Sequence, residues 1–192
     1  MADSRELGCD AGRIVRDMGT GSVRIVGLDE SQLEAFWRTG RDHAGNTAEP
    51  FVDREGGWPL RCCLRDSRAG EELAIVAWSP FPWRGPYAEV GPVVVHAQRC
   101  ESRHEGGQVP VQFRTRRQIL RPYGRDRRIA YDRLRLVHAD GDIDGAIAEL
   151  LAMEDISFVH VRNPLSGCYS FGVERADPTE SSVDATSTRS GS

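Results

Sequence analysis

The run Phe158-Val159-His160-Val161-Arg162-Asn163-Pro164-Leu165-Ser166-Gly167-Cys168-Tyr169-Ser170-Phe171 admits few folds. Two β-rich segments flank a Pro/Gly turn, which predicts an antiparallel hairpin. Side chains alternate along a strand, so Phe158, His160 and Arg162 share one face, and Val159, Val161 and Asn163 the other. A turn centred on Leu165 sets Arg162 opposite Cys168 and His160 opposite Ser170. In that register His160, Arg162, Cys168 and Ser170 form one polar cluster, with Val159, Val161, Tyr169 and Phe171 on the apolar side. A slip of one residue moves Cys168 to the apolar side.

That cluster has a chemical reading. A guanidinium and an imidazolium beside a thiol favour the thiolate, which is the nucleophilic form. Cys168 and His160 are the candidate catalytic residues, and Arg162 and Asn163 are candidate ligand contacts. A half-buried thiol beside an arginine that binds a loop carbonyl is the plainer alternative.

Other segments read as follows. Val23 to Val26 predicts a short strand. Ser31-x-x-Glu34 has capping-box spacing and opens a helix through Leu33, Phe36 and Trp37, ending near Gly40. Residues 41–59 predict a long loop. Glu72 to Trp78 and Val93 to Ala97 are apolar strands, joined through the aromatic, proline-stiffened loop at residues 80–86. Residues 101–110 read as a polar loop. Val111 to Leu120 has helical spacing, Ile129 to His138 alternates like a strand, and Asp142 opens a helix carrying Ile143, Ile147, Leu150 and Leu151 on one face. Strands outnumber helices and few are linked by helical crossovers. The expected fold is a single α+β domain over residues 21–175, with a mixed or antiparallel sheet and two to three helices. Residues 1–20 read as loosely ordered, and the Ser/Thr/Asp-rich tail at 176–192 as disordered.

Composition excludes several chemistries. All 25 basic residues are arginine, so a lysine Schiff base and a P-loop lysine are impossible. A net charge of −4 argues against nucleic acid as the main partner. No apolar run has the length of a membrane span, and the polar N-terminus lacks a signal-peptide core, so a cytoplasmic location is expected. Five cysteines without a Cys-x-x-Cys pair suggest reduced thiols rather than a disulfide framework.

Four further features bear on chemistry. Asp140 to Gly145 matches the opening of a calcium loop, but its twelfth position is Leu151, so a helix cap is the better reading. His96, Cys100 and His104 recur at helical spacing, and Cys62-Cys63 could add a ligand. A strand at Val93 to Val95 spoils that spacing, and adjacent cysteines in a strand point apart, so no metal and no cofactor are assigned. Arg114 to Arg135 holds nine arginines, an anion-binding surface or, more simply, a solvated face. Tyr87, Glu89 and His96 flank a Gly-Pro break that implies a bulge or an edge strand, and bulges often adjoin sites.

Three blocks resemble a bacterial domain-of-unknown-function family, number 1203. They are Trp58-Pro59-Leu60-Arg61-Cys62-Cys63-Leu64-Arg65-Asp66 with Ala69-Gly70-Glu71; Gly85-Pro86-Tyr87-Ala88-Glu89-Val90-Gly91-Pro92-Val93-Val94-Val95-His96; and Val159-His160-Val161-Arg162-Asn163 with Gly167-Cys168-Tyr169. The family tends to show Pro-Cys-Arg in the first block, whereas Leu60 stands here at the cysteine position. The resemblance implies a shared fold and pocket but no reaction. With Arg61, Tyr87, Glu89 and His96 added to the hairpin residues, the functional expectation is a cytoplasmic protein acting on a small anionic metabolite. The alternative is a non-catalytic ligand-binding or interaction module on the same fold. Oligomeric state stays open.

Overall fold

A computed structural model describes residues 23–100, 104 and 107–176. The expectations for residues 1–20 and for nearly all of the 176–192 tail lie outside these. Among the described residues there are eight strands: β1 (Val23–Val26), β2 (Phe51–Val52), β3 (Glu72–Trp78), β4 (Gly91–His96), β5 (Gln118–Gly124), β6 (Arg135–Val137), β7 (Ile156–Arg162) and β8 (Tyr169–Arg175). Three α-helices accompany them: α1 (Glu30–Thr39), α2 (Val111–Arg114) and α3 (Ile143–Leu151). The strands form a five-stranded sheet, β1-β8-β7-β5-β6, and a three-stranded sheet, β2-β3-β4, every pair antiparallel. This is the expected α+β class. No helix among the described residues is long and apolar enough to cross a membrane.

The large sheet has two unlike faces. Leu120, Val159, Val161, Phe171 and Val173 face α3 and pack with Ile143, Ile147, Leu150 and Leu151 into the main core. That helix is amphipathic as its spacing requires, and Asp142 Oδ1 caps it by accepting from Gly145 N at 2.8 Å. Of the acids there, Asp142 is the helix cap, one of the two read from the sequence. The small sheet buries Ala74, Val76, Trp78, Val93 and Val95 against Leu33 and Phe36 of α1. Trp37 Nε1 pins that helix by donating to His96 O at 2.9 Å.

Several local expectations need correction. The cap of α1 is Asp29, not Ser31: Asp29 Oδ1 accepts from Gln32 N (2.9 Å) and from Ser31 Oγ (2.6 Å). Gly40 ends the helix in the left-handed region at φ 66°, where a side chain would be strained. The 41–59 loop contains β2. The expected helix over Val111 to Leu120 stops at Arg114, and Gln118–Gly124 pairs instead with β7 and β6. Pairing with two neighbours satisfies more backbone than another helical turn offers, and tertiary context overrides the local spacing. The strand expected from Ile129 to His138 is broken: Ile129 bridges Tyr123, a 3-10 turn follows at Tyr131–Arg133, and Arg135–Val137 pairs as β6. Pro92 sits in β4, an edge strand, as a proline in a ladder should.

Candidate functional site

The hairpin β7–β8 differs in register from the sequence expectation. Asn163 Oδ1 accepts from Leu165 N (2.9 Å) and Ser166 N (3.0 Å), and Gly167 follows with φ 70°. Gly167 N donates to Asn163 O at 2.9 Å and Asn163 N to Cys168 O at 3.1 Å, so Cys168 faces Asn163 across the turn. Arg162 is therefore paired with Tyr169, a bulge falls between Val161 and Arg162, and His160 stands opposite Gly172 rather than Ser170. The glycine's left-handed conformation and the bulge supply the shift. The expected cluster of His160, Arg162, Cys168 and Ser170 does not form. Tyr169 takes the place beside His160, and Cys168 Sγ lies 4.0 Å from Ser166 O at the hairpin tip.

His160 sits in an aromatic box. Its ring centroid lies 5.0 Å from Phe81, 4.9 Å from Tyr123, 5.1 Å from Phe158 and 4.8 Å from Tyr169. Burial first, then the Arg162 and Arg121 charges, hold its pKa well below the ordinary value. His160 Nδ1 faces Arg162 Nη2 at 3.4 Å. A guanidinium only donates, so Nδ1 is the acceptor and the ring proton resides on Nε2.

Arg162 is buried, and burial lowers its pKa. Its Nη1 donates to Gly167 O at 2.9 Å, its Nη2 pairs with Glu89, and its Nε has no hydrogen-bond partner among the described residues. Arg121 Nη1 reaches the same Glu89 oxygen, Oε1, at 3.2 Å. Two guanidiniums thus converge on one carboxylate oxygen of a half-exposed loop residue.

Beside His160 a cleft of about 350 Å³ opens between the large sheet and the Pro/Trp loop. Phe81, Trp83, Phe158 and Tyr169 wall it, and Arg24 and Gln32 stand among its polar residues. Gln32 Oε1 is buried there without a partner among the described residues. Tyr87 does not line this cleft; its ring faces Tyr131 at 6.4 Å. Arg61 is buried beneath the hairpin, where its Nε donates to Tyr169 O at 2.8 Å, and burial lowers its pKa to about 10.

His96 lies apart from these residues. The Leu60–Arg65 segment closes as a turn, Leu60 N donating to Arg65 O at 2.8 Å, with Leu64 at φ 53°. Both adjacent cysteines consequently face the end of β4, which a strand would forbid. Sγ of Cys62, Cys63 and Cys100 and a ring nitrogen of His96 lie within 4.8 Å of one another. These are the residues able to hold a metal. His104 is not part of that group; its Nε2 lies 2.9 Å from Gln108 O. The sequence offers Cys62-Cys63 beside His96 and Cys100, but a strand through the two cysteines would splay them, and only that turn brings them together. Within the group, hydrogen bonding by Cys62 lowers the Cys63 thiol to about 4 and the Cys100 thiol to about 7, while Cys62 itself is pushed up.

The arginine-rich segment is largely paired. Arg116 holds Asp66 through two bonds (2.7 and 2.9 Å), Arg114 meets Asp144, Arg133 meets Asp155 and Arg135 meets Glu149.

These two antiparallel sheets, joined around a buried His–Arg pair, define an α+β protein with an aromatic cleft. The chain belongs to the family described as protein of unknown function (DUF1203), whose match covers residues 57–175 and so takes in all three sequence blocks. No curated protein and no solved structure matches it.

Proposed function

We propose that this protein is a cytoplasmic module that binds a small anionic metabolite beside His160, with Arg162 as the charge that orients the anion. The observation that carries this reading is the shared oxygen. Arg121 and Arg162 both contact Glu89 Oε1, which leaves one positive charge in excess at a largely buried position. Guanidinium forks suit carboxylates and phosphates, and Arg162 Nε is a buried donor with no partner among the described residues. Glu89 then stands in for the ligand's acidic group. The aromatic cleft supplies an apolar wall for the rest of a small molecule, and His160 joins the two places, its ring walling the cleft and its Nδ1 facing Arg162.

Binding is favoured over thiolate catalysis because Tyr169, not Cys168, adjoins His160. With its proton on Nε2, His160 enters as a neutral hydrogen-bond donor. A cytoplasmic setting accords with Cys62, Cys63, Cys100 and Cys168 forming no disulfide among the described residues.

Titration calorimetry of the full chain against small mono- and dicarboxylates and inorganic phosphate tests the reading. Millimolar or tighter binding of at least one anion is expected. Glu89→Gln removes the internal competitor and should tighten binding about tenfold, equivalent to ~1.4 kcal/mol. No anion binding by either protein would sink the proposal.

A further inference from the structure

Cys62, Cys63, His96 and Cys100 come from three places in the chain: the tip of the Leu60–Arg65 turn, the last residue of β4 and the segment after it. Cys62 Sγ lies 3.4 Å from His96 Nδ1 and 4.0 Å from Cys63 Sγ, and Cys63 Sγ lies 4.0 Å from the same nitrogen. A tetrahedral zinc with Zn–S bonds of ~2.3 Å has sulfur–sulfur edges of roughly 3.8 Å. Three of the donors already stand close to the edges of such a tetrahedron, and Cys100 Sγ lies within 4.8 Å of each of them.

We propose that these four side chains hold one zinc ion in a closed, structural S₃N site. The donor set is soft, three sulfurs and an imidazole, which selects zinc over magnesium or calcium. Four protein donors leave no open position, the mark of a structural rather than a hydrolytic centre.

The surroundings fit the same ion. His96 Nε2 lies 3.4 Å from Glu71 Oε2 and 3.1 Å from Arg65 Nη2; with Nδ1 on the metal the ring proton sits on Nε2, and of these two neighbours only the Glu71 carboxylate can accept it. Arg65 fixes that carboxylate with two bonds, 2.7 Å to Oε1 and 3.0 Å to Oε2. The backbone N–H of His96 donates to Cys62 Sγ at 3.4 Å, a contact that supports a metal-bound thiolate. Three thiolates and a divalent ion carry one net negative charge, and the Arg65 and Glu71 charges beside them cancel each other. A vicinal disulfide does not describe the pair, since bonded sulfurs are ~2.05 Å apart and these are at 4.0 Å. Zinc would tie the turn to the end of β4 and, through Trp37 at His96 O, to α1. Loading releases the thiol protons to solvent.

The test uses the full chain, purified under reducing conditions. About one zinc per chain is expected. After metal removal, added Co²⁺ should give a thiolate-to-cobalt charge-transfer band and the visible bands of a tetrahedral site, saturating at one equivalent. A chain carrying Cys9→Ser and Cys168→Ser should keep those bands. Cys100→Ser, a change beyond the end of β4, should lose most of their intensity while the far-ultraviolet circular dichroism stays native. Absence of both zinc and cobalt bands in folded, reduced protein overturns the site, as do bands unchanged in Cys100→Ser and Cys63→Ser. An iron–sulfur chromophore in the purified chain overturns the assignment to zinc.

Discussion

His96 presents two different atoms to one sulfur: its ring Nδ1 and its backbone nitrogen each lie 3.4 Å from Cys62 Sγ. A histidine held this way turns its far nitrogen toward Glu71 Oε2 at 3.4 Å and Arg65 Nη2 at 3.1 Å. Partners that orient a ligating imidazole typically govern metal affinity by 10–100-fold. Glu71→Gln keeps the shape and loses the charge, so zinc affinity should fall about tenfold while stoichiometry stays at one. Competition with a chromophoric chelator measures this, and an unchanged affinity would show that Glu71 serves only Arg65.

His160 should make stability depend on pH. The folded state holds it neutral, and the unfolded chain protonates it near 6.5. Below that value the unfolded state binds the extra proton, so stability is complete above pH ~6.5 and declines as pH falls, by up to ~1.4 kcal/mol per unit. The groups facing it add no compensating negative charge: Arg162 and Arg121 are positive, and Tyr123 and Tyr169 are neutral. Urea denaturation at a series of pH values should show this slope in the natural chain and a flatter one in His160→Phe. Equal slopes would remove His160 from the acid response.

Arg61 links the Cys62-Cys63 turn to β8 through its bond to Tyr169 O. Its removal leaves a buried carbonyl without that charged donor, and such bonds are worth ~1.5–3 kcal/mol. Arg61→Ala should cost about 2–3 kcal/mol in chemical denaturation. A loss below ~0.5 kcal/mol, the range of ordinary surface changes, would mean that the two elements dock without it.

Two positions of the hairpin should behave oppositely. Phe171 is fully buried, edge-on to Phe113 at 5.1 Å, whereas Leu165 is 86% exposed at the turn. Phe171→Ala should cost ~3–5 kcal/mol, and Leu165→Ala less than ~0.5 kcal/mol. The same denaturation curves decide both.

Much of the architecture was legible in the sequence. The run Glu72–Trp78 and the Ile143, Ile147, Leu150, Leu151 spacing emerged as β3 and α3 because their periodicity agrees with the face they bury. Gln118–Gly124 was not legible: its Phe113, Arg117, Leu120 spacing mimics a helix, and only the two neighbouring strands make it β5. In the hairpin, the strands and the turn were readable but the register was not. One glycine at φ 70° and one bulge exchange Cys168 for Tyr169 beside His160.

By itself the sequence determined the elements whose signal is local: apolar period, cap and turn residues, and the chemistry ruled out by a chain without lysine. The tertiary structure alone decided which reactive side chains meet. Cys62 and Cys63 reach His96 because a turn replaces the strand that would splay them, and Arg121 and Arg162 meet on Glu89 because β5 and β7 pair beneath a loop from another sheet. Contacts between residues so far apart in the chain depend on register and turn geometry, and no local pattern of residues encodes those.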